Sequence, residues 1–224
     1  WQLFAGLGWT SIHWLHRIRQ PTLVLAGDDH GCQSSTLAHQ SEQVFASALM
    51  PVVNPATLQD YLDLGILGFA LSRYSGCWVG FKAISETVES SASIVSDPDR
   101  IKIIMPDDFE MPPGGLSIRW PDPPLEAERR LHGPKMEAVA AFARANRFDR
   151  IVLDSKPARL GIMATGKAYL DLRQALADLG ITDVGEVVGF GAVANGGVFD
   201  FDEVADVHAV GKHGARAQAC EGSQ

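Results

Sequence analysis

The stretch TLVLAGDDHGCQSSTLAHQSE, residues 22–42, decides how the fold is read. Thr22 to Ala26 is a short, β-rich apolar run that ends in Gly27-Asp28-Asp29-His30-Gly31. A buried strand feeding a polar loop fits that pattern. The segment from Ser34 or Ser35 through about Met50 is expected to be helical, with Pro51 as its stop. PVVNP, residues 51–55, then offers a second short strand and an Asn54-Pro55 turn. Thr57 is placed to cap a helix running through Leu71, although Gly65 and Gly68 work against it. Cys77 to Ala83 is a third strand. Strand, polar loop, helix, strand, helix, strand is the grammar of an α/β fold built on a parallel sheet.

Upstream of this unit, Thr10 to Arg19 can form a short amphipathic helix ended by Pro21. Downstream, Ile101 to Met105 is strand-like. The proline-rich run that follows to Glu128 excludes regular structure over most of its length and reads as an ordered connecting arm. In that arm Phe109 and Trp120 favour packing against a surface. Helical periodicity resumes from Lys135 to Arg147, with Ala138, Val139, Phe142 and Ala143 on the apolar side. A second α/β unit starts near Ile151. It has a buried strand in Arg159 to Gly166 and a helix from Lys167 to Leu179 closed by Gly180. After Ile181 the pattern weakens. Gly189 to Gly191 follows no clear strand, and Val204 to Val210 is one strand candidate.

The 224 residues carry 46% hydrophobic side chains, enough for a sizeable core. With 19 Lys and Arg against 27 Asp and Glu, the net charge of -8 argues against a nucleic-acid partner. No apolar run approaches the roughly 18 residues of a membrane span. Cys32, Cys77 and Cys220 are far apart, which excludes a thiolate zinc site or an iron–sulfur cluster held by this chain alone. Their odd number argues against a disulfide scaffold and fits a reducing, cytoplasmic compartment. The chain opens on Trp1 and reads as a piece of something longer.

The densest chemistry lies in Asp28, Asp29, His30, Ser34, Ser35, His39 and Glu42. These residues follow a strand, where α/β folds place ligand loops. On a helix, His39 and Glu42 would share one face. Part of the set is also explained by a loop-closing Asx pair with a serine N-cap. A ligand or subunit-interface loop accounts for more of it. No metal ligand set is completed locally. A serine–histidine hydrolase lacks its GxSxG elbow, and LGIMATG at 160–166 is neither a dinucleotide fingerprint nor a P-loop. Lys82 interrupts the apolar run CWVGFKAIS. It fits either a solvated edge with local ion pairing or a contact to a substrate carboxylate or an interface.

Four long runs add a resemblance: residues 25–42, 51–90, MPDDFEMPPGGLSIRWPDPPLEAE at 105–128, and RLGIMATGKAYLDLRQALADLGI at 159–181. They resemble the indolepyruvate ferredoxin oxidoreductase family, over roughly residues 24 to 182. Members are thiamine-diphosphate enzymes that oxidatively decarboxylate an aryl 2-oxo acid, such as indolepyruvate, to an acyl-CoA. Electrons pass through [4Fe–4S] clusters to ferredoxin. The resemblance implies a partial pyrimidine-binding-type α/β domain over residues 1–97 and a connecting arm and helix over 98–157. Residues 158–224 would begin a transketolase C-terminal-like α/β domain. It further implies that thiamine diphosphate, Mg²⁺ and the clusters are bound mainly by other domains or subunits. Asp28, Asp29, His30, Ser34, Ser35, His39, Glu42 and Lys82 are then site-adjacent, with no catalytic role carried over to any of them. The segment before Leu23 departs from the family pattern, and so does the chain after Ile181. The alternatives are a non-catalytic assembly or regulatory module of the same architecture, and an independent hydrolase using His30 or His39 with a serine.

Overall fold

The computed structural model describes residues 18–33, 35–97, 99–117, 122–154, 160–182, 184–189 and 191–192. Strand β1 (Leu23–Asp28) leads through the polar loop to helix α1 (Glu42–Ser47), strand β2 (Val52–Val53), helix α2 (Leu58–Ser75) and strand β3 (Val79–Ile84). The sheet order is β1-β3-β2 with all three strands parallel, and β3 is central. A later two-residue strand, β7 (Gly191–Ala192), adds antiparallel to β2.

Helix α2 starts where Thr57 predicts. Its hydroxyl accepts the Asp60 N–H at 3.2 Å, and the Asp60 carboxylate accepts the Thr57 N–H at 2.8 Å. This capping box satisfies two otherwise orphaned helix-end donors. The helix ends at Gly76, whose φ of +68° suits glycine and whose missing Cβ lets the Leu116 carbonyl approach closely.

Side chains alternate along β3, and this alternation sorts the neighbours. Val79 and Phe81 face α2, where Phe81 meets the Tyr61 ring at 5.6 Å. Gly80 and Lys82 face α1. A Cβ on Gly80 would lie 2.9 Å from the buried Phe45 ring of α1. Gly80→Ala should therefore destabilise the chain by about 1–3 kcal/mol through overpacking. Pairing it with Phe45→Leu should recover part of the loss in urea unfolding. Equal losses in the single and double variants would show that the ring is not what the methyl meets.

The proline-rich arm is more structured than its composition suggests. Helix α3 (Ser85–Val88) precedes it, and helix α4 (Pro124–Arg130) begins on its last prolines, which suit a first helical turn. A kinked turn at Leu131–Lys135, containing Gly133 and Pro134, leads into helix α5 (Met136–Ala145). The buried face of α5 is Ala138, Val139, Ala141 and Phe142. Val139, Phe142 and Phe148 join Leu64, Leu71, Val79 and Phe81 in one apolar core. Thus α5 covers α2 and helps close the first sheet's core. Phe109 packs on Tyr74 at 6.3 Å as expected, while Trp120 lies outside the described residues.

Three expectations need correction. Ile101–Met105 forms no strand. Both backbone groups of Ile104 are instead taken by the Asn146 side-chain amide at 2.8 Å, so one side chain does the work of a strand neighbour. Strand β5 (Leu160–Ala164) is not buried, and Leu160 is 53% exposed. It lies at an edge of a second sheet ordered β4-β6-β5, made with β4 (Asp149–Leu153) and β6 (Val184–Gly189). β6 also shows that Gly189 does follow a strand. Its glycine-rich composition hid this. Helix α6 (Lys167–Leu179) has the expected bounds and closes on Gly180 with φ +64°. Most of Thr10–Arg19, the domain boundary expected at residues 157–158 and Val204–Val210 lie outside the described residues.

Candidate functional site

Parallel pairing brings the C-terminal ends of β1 and β3 side by side, with Ala26 opposite Lys82 and Asp28 opposite Ile84. Lys82 is therefore on the central strand and only 4% exposed, and the solvated-edge reading is overturned. Its ammonium lies 3.5 Å from the Asp28 carboxylate and pairs directly with Glu42 at the start of α1. Asp28 is buried and also accepts the Ser41 N–H at 3.0 Å and the Ser41 hydroxyl at 2.5 Å. Burial raises the Asp28 pKa. The two Ser41 bonds and the Lys82 charge outweigh it and hold the carboxyl below its usual value.

Asp29 is buried as well, and its carboxylate folds the loop around itself. It accepts the Gln33 N–H at 2.9 Å, the Ser35 N–H at 2.8 Å and the Ser35 hydroxyl at 2.9 Å. The Asp29 carbonyl accepts the His39 N–H at 3.3 Å. The His39 ring returns over the loop, its Nε2–H donating to the Gly27 carbonyl at 2.8 Å. That bond is the main reason the His39 pKa is raised. Slight desolvation opposes it, and the Leu37 backbone with the Asp28 and Asp29 charges assists.

The expected helix from Ser34 or Ser35 is thus wrong in its first half, since α1 begins only at Glu42. The reason is chemical: Asp28 and Asp29 capture backbone N–H groups that a helix would have to orient along its own axis. His39 and Glu42 consequently do not share a helix face. The fold still assembles Asp28, Asp29, Ser35, His39, Glu42 and Lys82 in one loop-and-strand cluster. His30 is exposed beside it, and Ser34 lies outside the described residues. Ser41 was missed. The available signal was its position just before an acidic residue at a helix start, where serine is a common N-cap. Here its hydroxyl serves Asp28 and makes no cap bond.

The raised pKa of His39 gives a pH dependence with a definite sign. The protonated ring binds the folded loop better, so its contribution is complete below about pH 6.5. It fades as the pH rises through the folded-state pKa, above that value. The imidazole resonances of His39 should titrate above the reference value in NMR, and Ser35 and Ser41 amide exchange should quicken over the same pH range. Titration of His39 at or below the reference value would contradict the Gly27 bond.

Asp28, His30 and Glu42 can each bring one ligand atom within 4.8 Å of the others. Sequence spacing did not show this set, because Glu42 arrives through the loop's return. Lys82 already supplies a positive charge there, so a divalent ion would have to displace its ammonium. A thiamine diphosphate does not fit this cluster alone. Its buried cation is matched by two carboxylates, leaving no surplus charge for a diphosphate. An iron–sulfur cluster has no thiolate set among the described residues. Cys32 is exposed in the loop, while Cys77 is buried before β3. Among the described residues of the loop, no serine hydroxyl is hydrogen-bonded to a histidine. The Ser35 and Ser41 hydroxyls donate to Asp29 and Asp28, while the His39 ring bonds a carbonyl.

Comparison with known proteins bears on the second sheet. Residues 149–191 match the family model described as indolepyruvate ferredoxin oxidoreductase middle domain. This segment is similar to the middle domain of that family. The indolepyruvate ferredoxin oxidoreductase match spans β4, β5, α6 and β6 and ends on the first residue of β7, so the Asp28–Glu42 loop lies outside it. A 29-residue stretch is 93% identical to the poly(3-hydroxyalkanoate) depolymerase of Ectopseudomonas oleovorans. It covers 13% of this chain, and the chain spans about a tenth of that curated relative's length, 10%. No solved structure matches. Among the described residues, no helix is long and apolar enough to cross a membrane.

Proposed function

We propose that the chain is part of a cytoplasmic, thiamine-dependent 2-oxoacid:ferredoxin oxidoreductase. Its reaction would be the oxidative decarboxylation of an aryl 2-oxo acid, indolepyruvate-like, to an acyl-CoA with ferredoxin as acceptor. The observation that carries this is the middle-domain match at residues 149–191. The mixed α/β architecture, with three parallel strands in the first sheet, is compatible with it. In this reading the Asp28–Glu42 loop forms one wall of a cleft completed by another domain or subunit. That neighbour supplies the cations for the diphosphate and the thiolates for the clusters. The loop's own part is to offer a rigid polar surface. Asp29 fixes its shape, and the exposed His30 lies beside the Asp28 and Glu42 carboxylates.

The test uses the complete parent protein with 2-oxo acids, coenzyme A, thiamine diphosphate and a ferredoxin-type acceptor. Turnover should require all four and favour aryl over small aliphatic acids. Asp29→Ala should lower turnover at least about tenfold through lost positioning. Ser96→Ala, in an exposed segment, should leave it unchanged. Activity independent of thiamine diphosphate would end this reading. A second, hydrolytic reading draws on the 29-residue identity with the depolymerase. The commitment of Ser35 and Ser41 to carboxylates speaks against it. An ester-cleavage rate lost on Ser35→Ala would reverse that preference.

A further inference from the structure

At the end of the first sheet opposite the GDDHG loop lies a cleft of about 270 Å³. It is formed where the chain enters β1, β2 and β3, from residues 18–21, 48–50 and 76–78, with Leu131 and Lys135 from the kinked turn before α5. Three cations line it, Arg19, Arg73 and Lys135, and its walls include Leu49, Met50 and Trp78. No Asp or Glu lines it among the described residues. In a chain with 27 acids and 19 Lys and Arg, three cations gathered without a carboxylate are unusual.

Their bonding state is also informative. Arg19 and Arg73 are exposed at the cleft's rim, and among the described residues neither guanidinium makes an ion pair or a side-chain hydrogen bond. Lys135 donates one bond, to the Gly76 carbonyl at 2.8 Å, and an ammonium has three donors. Burial pushes its pKa down, the Cys77 thiol opposes this, and the Arg130 charge adds to it. A partly desolvated ammonium with donors to spare and two unpaired guanidinium forks are complementary to an anion. The apolar walls suit a ligand body that is not itself charged. The volume falls just under the roughly 300–1,000 Å³ of ordinary ligand pockets, which points to a small molecule.

We infer that this cleft binds a small organic carboxylate, its carboxylate held by Arg19, Arg73 and Lys135 and its apolar body lying against Leu49, Met50 and Trp78. The inference rests on neither the family match nor the polar loop, which lies at the other end of the strands.

The test is calorimetric titration of the full 224-residue chain. The probes are 4-phenylbutyrate, its neutral amide and inorganic phosphate. The carboxylate should bind measurably below about 10 mM, and the amide at least about tenfold more weakly. Arg73→Gln and Arg19→Gln should each weaken carboxylate binding about tenfold with unchanged circular dichroism. Arg144→Gln, which breaks an exposed pair with Asp108 elsewhere, should not. Equal affinity for acid and amide, tighter binding of phosphate than of the carboxylate, insensitivity to both arginine changes, or no binding at about 10 mM would each overturn the assignment.

Discussion

Replacing Lys82 by methionine is expected to destabilise the chain by about 3–5 kcal/mol, the usual effect of breaking a buried ion pair from one side. The side chain fits in length, so packing changes little. What changes is electrostatic. The Asp28 and Glu42 carboxylates would face each other without the ammonium between them. Asp28 keeps its two bonds from Ser41, but Glu42 loses its ion pair, and its second carboxylate oxygen is already buried without a partner. Adding Glu42→Gln should therefore recover about 1–3 kcal/mol by removing the orphaned charge. Urea unfolding of the wild type and of the single and double variants checks both. A loss below about 1 kcal/mol for Lys82→Met would place the ammonium in water rather than under α1.

A loss of similar size, about 3–5 kcal/mol, is expected for Phe142→Ala. This ring is fully buried, 5.6 Å from the Tyr74 ring and 6.1 Å from Phe148. It belongs to a helix that follows the proline-rich arm, yet its neighbours include Leu71 of α2 and Val79 of β3. Unfolding followed by near-ultraviolet dichroism should shift as one transition. Leu125→Ala on exposed α4 should leave the midpoint within about 0.5 kcal/mol of wild type. If Phe142→Ala were equally silent, α5 would not be covering α2.

The contrast between these residues shows what the sequence could reveal. Helices α2 and α6 were readable because their ends are marked locally, by Thr57 with Asp60 and by Gly180. The three parallel strands were readable from short apolar runs beside turn residues. The polar loop was recognisable as an unusual concentration of side chains, but its shape was not. Two aspartates there override the helical preference of residues 35–41, and the choice depends on where their carboxylates are buried. Lys82 was ambiguous because Glu42, its nearest partner, lies 40 positions earlier. Burial on a central strand is set by sheet order, which no local window contains. The exposed face of β5 has the same cause in reverse, an apolar run whose neighbours decide whether it is covered.

The antiparallel rung between Val52 and Ala192 has a consequence in time. Its two halves are 140 positions apart in the chain. At a synthesis rate of about 5–20 residues per second, β2 emerges roughly 7–28 s before the strand that flanks it. During that interval its outer backbone groups can pair with another nascent chain. Slow translation would lengthen the exposure and crowded polysomes would raise the local supply of partners. The yield of folded chain should thus depend on how fast and how densely it is made.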